Sequence, residues 1–91
     1  MRIRWTTPAA EDLEQIHRYQ QANFPHRATS TVREITTAIR TLRQFPNRGR
    51  RGNEEGTREL PHPRLPYIIV YRVPGAIVEI LHIWHPAQDW Q

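Results

Sequence analysis

The chain has 91 residues, a net charge of +4 and no cysteine. That length predicts one domain, 1–91, with a small core, and the absence of cysteine excludes disulfides and thiolate metal sites. No apolar run approaches the roughly 20 residues needed to span a bilayer, and Met1–Trp5 lacks a leader's apolar stretch, so a cytoplasmic chain without membrane contact is expected.

Arg2–Trp5 alternates, with Ile3 and Trp5 on one side, and reads as a short first strand. Thr7 then caps a helix opening with Pro8, where a missing N–H is harmless. Glu11 and Asp12 are assigned to its first turn, where they favour the helix dipole. Leu13 and Ile16 supply its apolar side, and Pro25 ends it near Asn23. A second helix is predicted from His26 or Arg27 to Gln44. Its stripe is Ala28, Val32, Ile35, Ile39 and Leu42, and Pro46 stops it. Two helices joined by so short a link form an antiparallel hairpin.

Asn47–Gly56 is rich in Gly and charge and reads as a loop. Three strands follow. Thr57–Leu60 is short. Tyr67–Val73 is apolar on both sides and therefore central. Ala76–His85 returns after a Pro74-Gly75 turn of type II pattern. The expected fold class is α+β: a short N-terminal strand, a helical hairpin, then a three-stranded antiparallel meander, with both helices on one sheet face. The other face is left available for function. Trp5, Leu13, Ile16, Val32, Ile35, Ile39, Leu42, Ile69, Tyr71, Val78 and Ile80 are the expected core.

All 13 basic residues are Arg, a side chain suited to bidentate contact with carboxylate or phosphate. Arg40, Arg43, Arg48, Arg50, Arg51, Arg58 and Arg64 outnumber Glu54, Glu55 and Glu59 by four, so residues 40–64 carry the whole net charge of +4. A local basic patch implies an acidic or polyanionic partner, and Arg40, Arg43, Arg48, Arg50 and Arg51 are its candidate contacts. Strand alternation puts Val78, Ile80, His82 and Trp84 on one face and Glu79, Leu81, Ile83 and His85 on the other. His82 and His85 then point oppositely and make a poor metal pair; no metal and no cofactor is expected. His82, on an apolar face, reads as structural. His85, at the strand end, is the better functional candidate, and His62 reads as an exposed loop residue.

Three segments together, Thr57-Arg58-Glu59-Leu60-Pro61, Leu65-Pro66-Tyr67-Ile68-Ile69-Val70-Tyr71-Arg72-Val73 and Ile77–Trp90, follow two amphipathic helices. In this arrangement the chain resembles the RelE/ParE family, the small toxins of bacterial type II toxin–antitoxin pairs. The resemblance implies a growth-arresting toxin neutralised by a cognate antitoxin in a hetero-oligomer. It implies as target either DNA gyrase, as in the ParE branch, or ribosome-bound mRNA, as in the RelE branch. The ParE branch is favoured. The RelE branch has an Arg directly after the Tyr of the central strand, where this chain has Ile68. It also carries lysines before that strand and an Arg-rich ending with a Tyr, and this chain has neither. Were the chain a nuclease, cleavage through the 2′-hydroxyl would need a base, an acid and a cation at the phosphate. Arg58, Arg64, Arg72 and His85 are the candidates. A non-catalytic nucleic-acid-binding module using the 40–64 patch is the third reading.

Overall fold

The structure, a computed structural model, describes residues 1–86. The end of the motif, Ala87, Gln88, Asp89 and Trp90, lies outside the described residues. The elements are β1 (Arg2–Trp5), α1 (Thr7–Asn23), a 3₁₀ turn at Pro25–Arg27, α2 (Ala28–Thr41), β2 (Arg50–Arg51), β3 (Thr57–Pro61), β4 (Ile68–Arg72) and β5 (Ile77–Trp84). The meander β3-β4-β5 is antiparallel, and β1 adds to its β5 edge in parallel. Arg50 and Arg51, expected in a loop, pair with Glu59 and Arg58 as a fifth strand at the opposite edge. Composition hides so short a strand: its residues are polar and its partners are chosen by β3.

Both helices pack on one sheet face, as the stripes predict. Ile35, Ile39 and Leu42 of the α2 side meet Ile69, Tyr71, Val78, Ile80 and Ile83 of the sheet, all 2% exposed or less. Each such burial contributes about 1.5–3 kcal/mol. Trp5 and Leu13 only flank this core, while Ala9, Leu60, Tyr67 and Ile83 join it. Val32 is half-buried; Thr31 takes the inward place on α2. After Thr41 the chain tightens into three-residue turns, with Leu42 N–H on Ile39 C=O and Arg43 N–H on Arg40 C=O. The α-helix therefore ends before Gln44 although the apolar stripe continues to Leu42. At the β4–β5 hairpin the bonded turn runs from Pro74 to Ile77, one residue later than the type II reading. Gly75 is its first central residue at φ +64°, a conformation L side chains rarely adopt.

A bulge in β5 breaks the regular alternation expected along this strand. Val70 pairs with His82 but Tyr71 pairs with Ile80, which leaves Leu81 as the extra residue. Beyond it the alternation flips. Ile83, paired with buried Ile69, points to the helices. His82 and Trp84 turn to the other face instead of following Val78 and Ile80.

The start of α1 satisfies the backbone that the bulge disturbs. Thr6 N–H donates to Ile80 C=O at 3.1 Å, and its hydroxyl donates to the same carbonyl at 2.7 Å. Thr6 is thus held extended and accepts from Ala9 N–H, so it is Thr6 and not Thr7 that caps the helix. With α1 starting at Thr7, Glu11 and Asp12 fall beyond its first turn. Asp12 has another role. One carboxylate oxygen accepts from Ile83 N–H at 3.0 Å and lies 3.1 Å from His82 Nδ1. Asp12→Ala leaves that buried N–H without its acceptor. The expected loss is about 1–2 kcal/mol, several degrees in Tm for so small a domain, measurable by thermal circular dichroism.

Candidate functional site

Two surfaces carry the chemistry, the helix-side basic edge and the open face of the sheet. At the edge, β1 leaves its outer row of N–H and C=O groups without a neighbouring strand among the described residues. Beside it runs a depression of about 420 Å³ lined by Arg2, Ile3, Trp5, Ile39, Arg40 and Arg43. Its floor is apolar and its rim cationic. Arg43 also clasps the N-terminus: its carbonyl accepts from the terminal ammonium, and its guanidinium donates to Met1 C=O.

The rest of the basic patch divides. Arg48 reaches back to the Thr41 hydroxyl at 3.0 Å. Arg50 pairs with Glu59 across β2–β3 at 3.1 Å, and Arg51 is exposed opposite Arg58. The loop beneath is pinned by Tyr71. Its hydroxyl donates to Pro46 C=O at 2.7 Å and accepts from Gly49 N–H at 2.8 Å. Burial raises the Tyr71 phenol above its ordinary value, against the pull of the Gly49 bond and of Arg58 and Arg48.

On the open face, Glu79 sits between two arginines. Its Oε2 accepts from Arg4 Nε at 3.0 Å and Nη2 at 2.5 Å, and its Oε1 accepts from Arg72 Nε at 2.5 Å. These bonds, Arg72's first and then Arg4's, hold the carboxyl below its ordinary 4.5 despite the opposing effect of desolvation. A carboxylate lowered in the folded state stabilises the fold above its unfolded value. The contribution is lost as pH falls through the folded value. Acid unfolding therefore strips this cluster at pH below 4.5, and Glu79→Gln should flatten that part of the stability–pH curve when denaturant midpoints are measured across it.

Further along the same face, His82 and Trp84 stack with ring centroids 5.6 Å apart. With Leu81, Val70, Glu54 and Glu59 they line a depression of about 500 Å³. Asp12 lies behind His82 and orients its ring. Because a carboxylate only accepts, Nδ1 is assigned the proton.

The four residues named for nuclease chemistry are placed apart. Arg72 is on the open face, committed to Glu79. Arg58 has the opposite parity on β3 and donates to the loop carbonyls of Gly49 at 2.9 Å and Asn47 at 3.4 Å. Arg64 is ion-paired with Glu34 of α2. His85 stands edge-on to Tyr67, with ring centroids 5.4 Å apart, and the Tyr67 hydroxyl in turn meets Gln20 of α1. His62 is a turn residue, its Nδ1 accepting from the N–H groups of Arg64 and Leu65. His82 is a proton-transfer group on the open face with its ring held by Asp12. Regular alternation hid it on the core side, and a signal was available: a histidine assigned to an otherwise apolar face.

A strand, a helical hairpin and a meander whose last strand, β5, returns to pair with β1 define a small α+β fold with one face covered and one open. The sequence model described as ParE toxin of type II toxin-antitoxin system, parDE, matches residues 3–90. The chain belongs to this family of ParE toxins. It is similar to a Sinorhizobium fredii protein named "Putative toxin Y4kP", 42% identical over 89 residues that cover 98% of this chain and 92% of that one. It is also similar to a chain from a solved structure of the chromosomal ParDE TA system from P. aeruginosa. There the TM-score is 0.87 at 32% identity, covering 93% of this chain and 95% of that one.

Proposed function

We propose that this chain arrests bacterial growth by poisoning DNA gyrase, and that a cognate antitoxin neutralises it. The carrying observation is the likeness to ParE toxins along nearly the whole chain, residues 3–90. The dispersal of Arg58, Arg64, Arg72 and His85 among separate partners supports the same reading. A binding toxin needs a contact surface and no assembled set of proton-transfer groups.

The basic edge is the proposed seat of the antitoxin. An extended acidic segment can add to the free edge of β1 while apolar side chains fill the groove over Ile3, Trp5 and Ile39. Arg40 and Arg43 meet its carboxylates there, with Arg48, Arg50 and Arg51 further along the patch. Inducing the chain in its native host tests the proposal. Growth arrest with a DNA-damage response and intact messages, relieved by co-expressed antitoxin, is the expected result. Arrest with cut messages and no DNA damage would overturn the gyrase target.

One observation favours a second reading, RelE-like ribosome-dependent mRNA cleavage. Asp12 and His82 form an oriented proton-transfer pair on the same open face as Arg72. In that case His82→Ala abolishes toxicity while the fold persists.

A further inference from the structure

The depression beneath Trp84 is chemically unlike the rest of this arginine-rich surface. No arginine lines it. Its floor is Val70 and Leu81, and its wall is Trp84, which is 39% exposed and offers an aromatic face. Its rim carries the carboxylates of Glu54 and Glu59. Arg50 engages only Oε1 of Glu59, at 3.1–3.2 Å, and leaves Oε2 without a partner among the described residues. The ring of His82, tied at Nδ1 to Asp12, lines it as well. The acidic groups here are thus two carboxylates beside an apolar, aromatic bed, with Asn53 also in the lining.

The group complementary to that inventory is flat, cationic and made only of donors. We infer that this depression receives the guanidinium of an arginine side chain presented by a protein partner. The guanidinium plane lies on the indole of Trp84, a favourable cation–π and stacking arrangement. Its N–H fork points to the Glu54 and Glu59 carboxylates, as charge-assisted bonds. The three-carbon stem covers Val70 and Leu81. Arg50 already shows the rim engaging a guanidinium from within the chain. A nucleobase fits less well, since it brings acceptors of its own to a site that is already acceptor-rich. The proposed partner surface is therefore basic at this point, the reverse of the acidic segment expected at the β1 edge. The two seats lie on different faces, so one partner can occupy each.

The test uses the full folded chain and reads binding, so it does not depend on what the toxin attacks. Acetyl-arginine methylamide is titrated while the Trp84 indole N–H and His82 ring signals are followed by NMR. Parallel titrations use the neutral isostere acetyl-citrulline methylamide, acetyl-lysine methylamide and guanosine monophosphate. Saturable shifts of both residues by the arginine compound, about tenfold weaker with citrulline, are the expected result. Glu54→Gln should weaken binding several-fold with Tm unchanged, and Trp84→Leu should weaken it several-fold in a chain that circular dichroism shows to be still folded. Equal binding of arginine and citrulline, equal binding of lysine, tighter binding of the nucleotide, or no shift of Trp84 would each overturn the assignment.

Discussion

Ile80→Ala is expected to destabilise the fold by about 2–5 kcal/mol, the range for emptying a fully packed aliphatic site. Ile80 is 0% exposed and stands where three parts of the structure meet. It pairs with Trp5 of β1 and Tyr71 of β4, and its carbonyl accepts both the N–H and the hydroxyl of Thr6 at the cap of α1. Its neighbours cannot collapse into the space, because the bulge at Leu81 fixes the backbone on one side and the cap fixes it on the other. A loss of this size approaches the whole stability margin of a small domain, about 5–15 kcal/mol at most. Urea unfolding read by circular dichroism measures it. A midpoint within error of the parent chain would mean that Ile80 is not a core residue.

Gly49→Ala is expected to cost about 2–3 kcal/mol, near the upper end of overpacking effects. A β-carbon there would lie 2.7 Å from both Cε1 and the hydroxyl of Tyr71, and 2.9 Å from Glu59 C=O. Tyr71 is 0% exposed and cannot swing away. The phenol would have to give up its bonds to Pro46 C=O and Gly49 N–H, and with them the anchor of the loop that carries Arg48. Tyr71→Phe acts on the same contact, so the double variant should lose less than the two single losses together. Denaturant midpoints of the three variants check this. Additive losses, or a Gly49→Ala chain as stable as the parent, would contradict the packing described.

The fold was legible where the apolar pattern is periodic. Ile35, Ile39 and Leu42 mark the inner side of α2, and the unbroken run Ile68–Tyr71 marks a central strand, because burial demands those side chains at those spacings. The pattern misleads where backbone bonding and burial disagree. In β5 nearly every residue is apolar, so hydropathy cannot reveal that Leu81 is bulged and His82 displaced to the open face. Asp12 was visible only as a charge near a helix start. Its bonds to Ile83 N–H and His82 join residues 70 apart or more, and no local rule anticipates them. The arginines illustrate a third limit. Composition shows that residues 40–64 are basic, whereas the partners Glu59, Glu34, Thr41 and the Gly49 carbonyl come only from the folded chain.

The most direct measurement combines purified chain, purified DNA gyrase and plasmid DNA, with cleavage complexes and supercoiling followed as toxin is added. Supercoiling is expected to fall, broken DNA to accumulate on gyrase, and an equimolar antitoxin to restore activity. His82→Ala and His85→Ala are expected to leave the inhibition largely in place. Unaffected gyrase, together with message cleavage on programmed ribosomes that either histidine substitution abolishes, would contradict the proposed gyrase target.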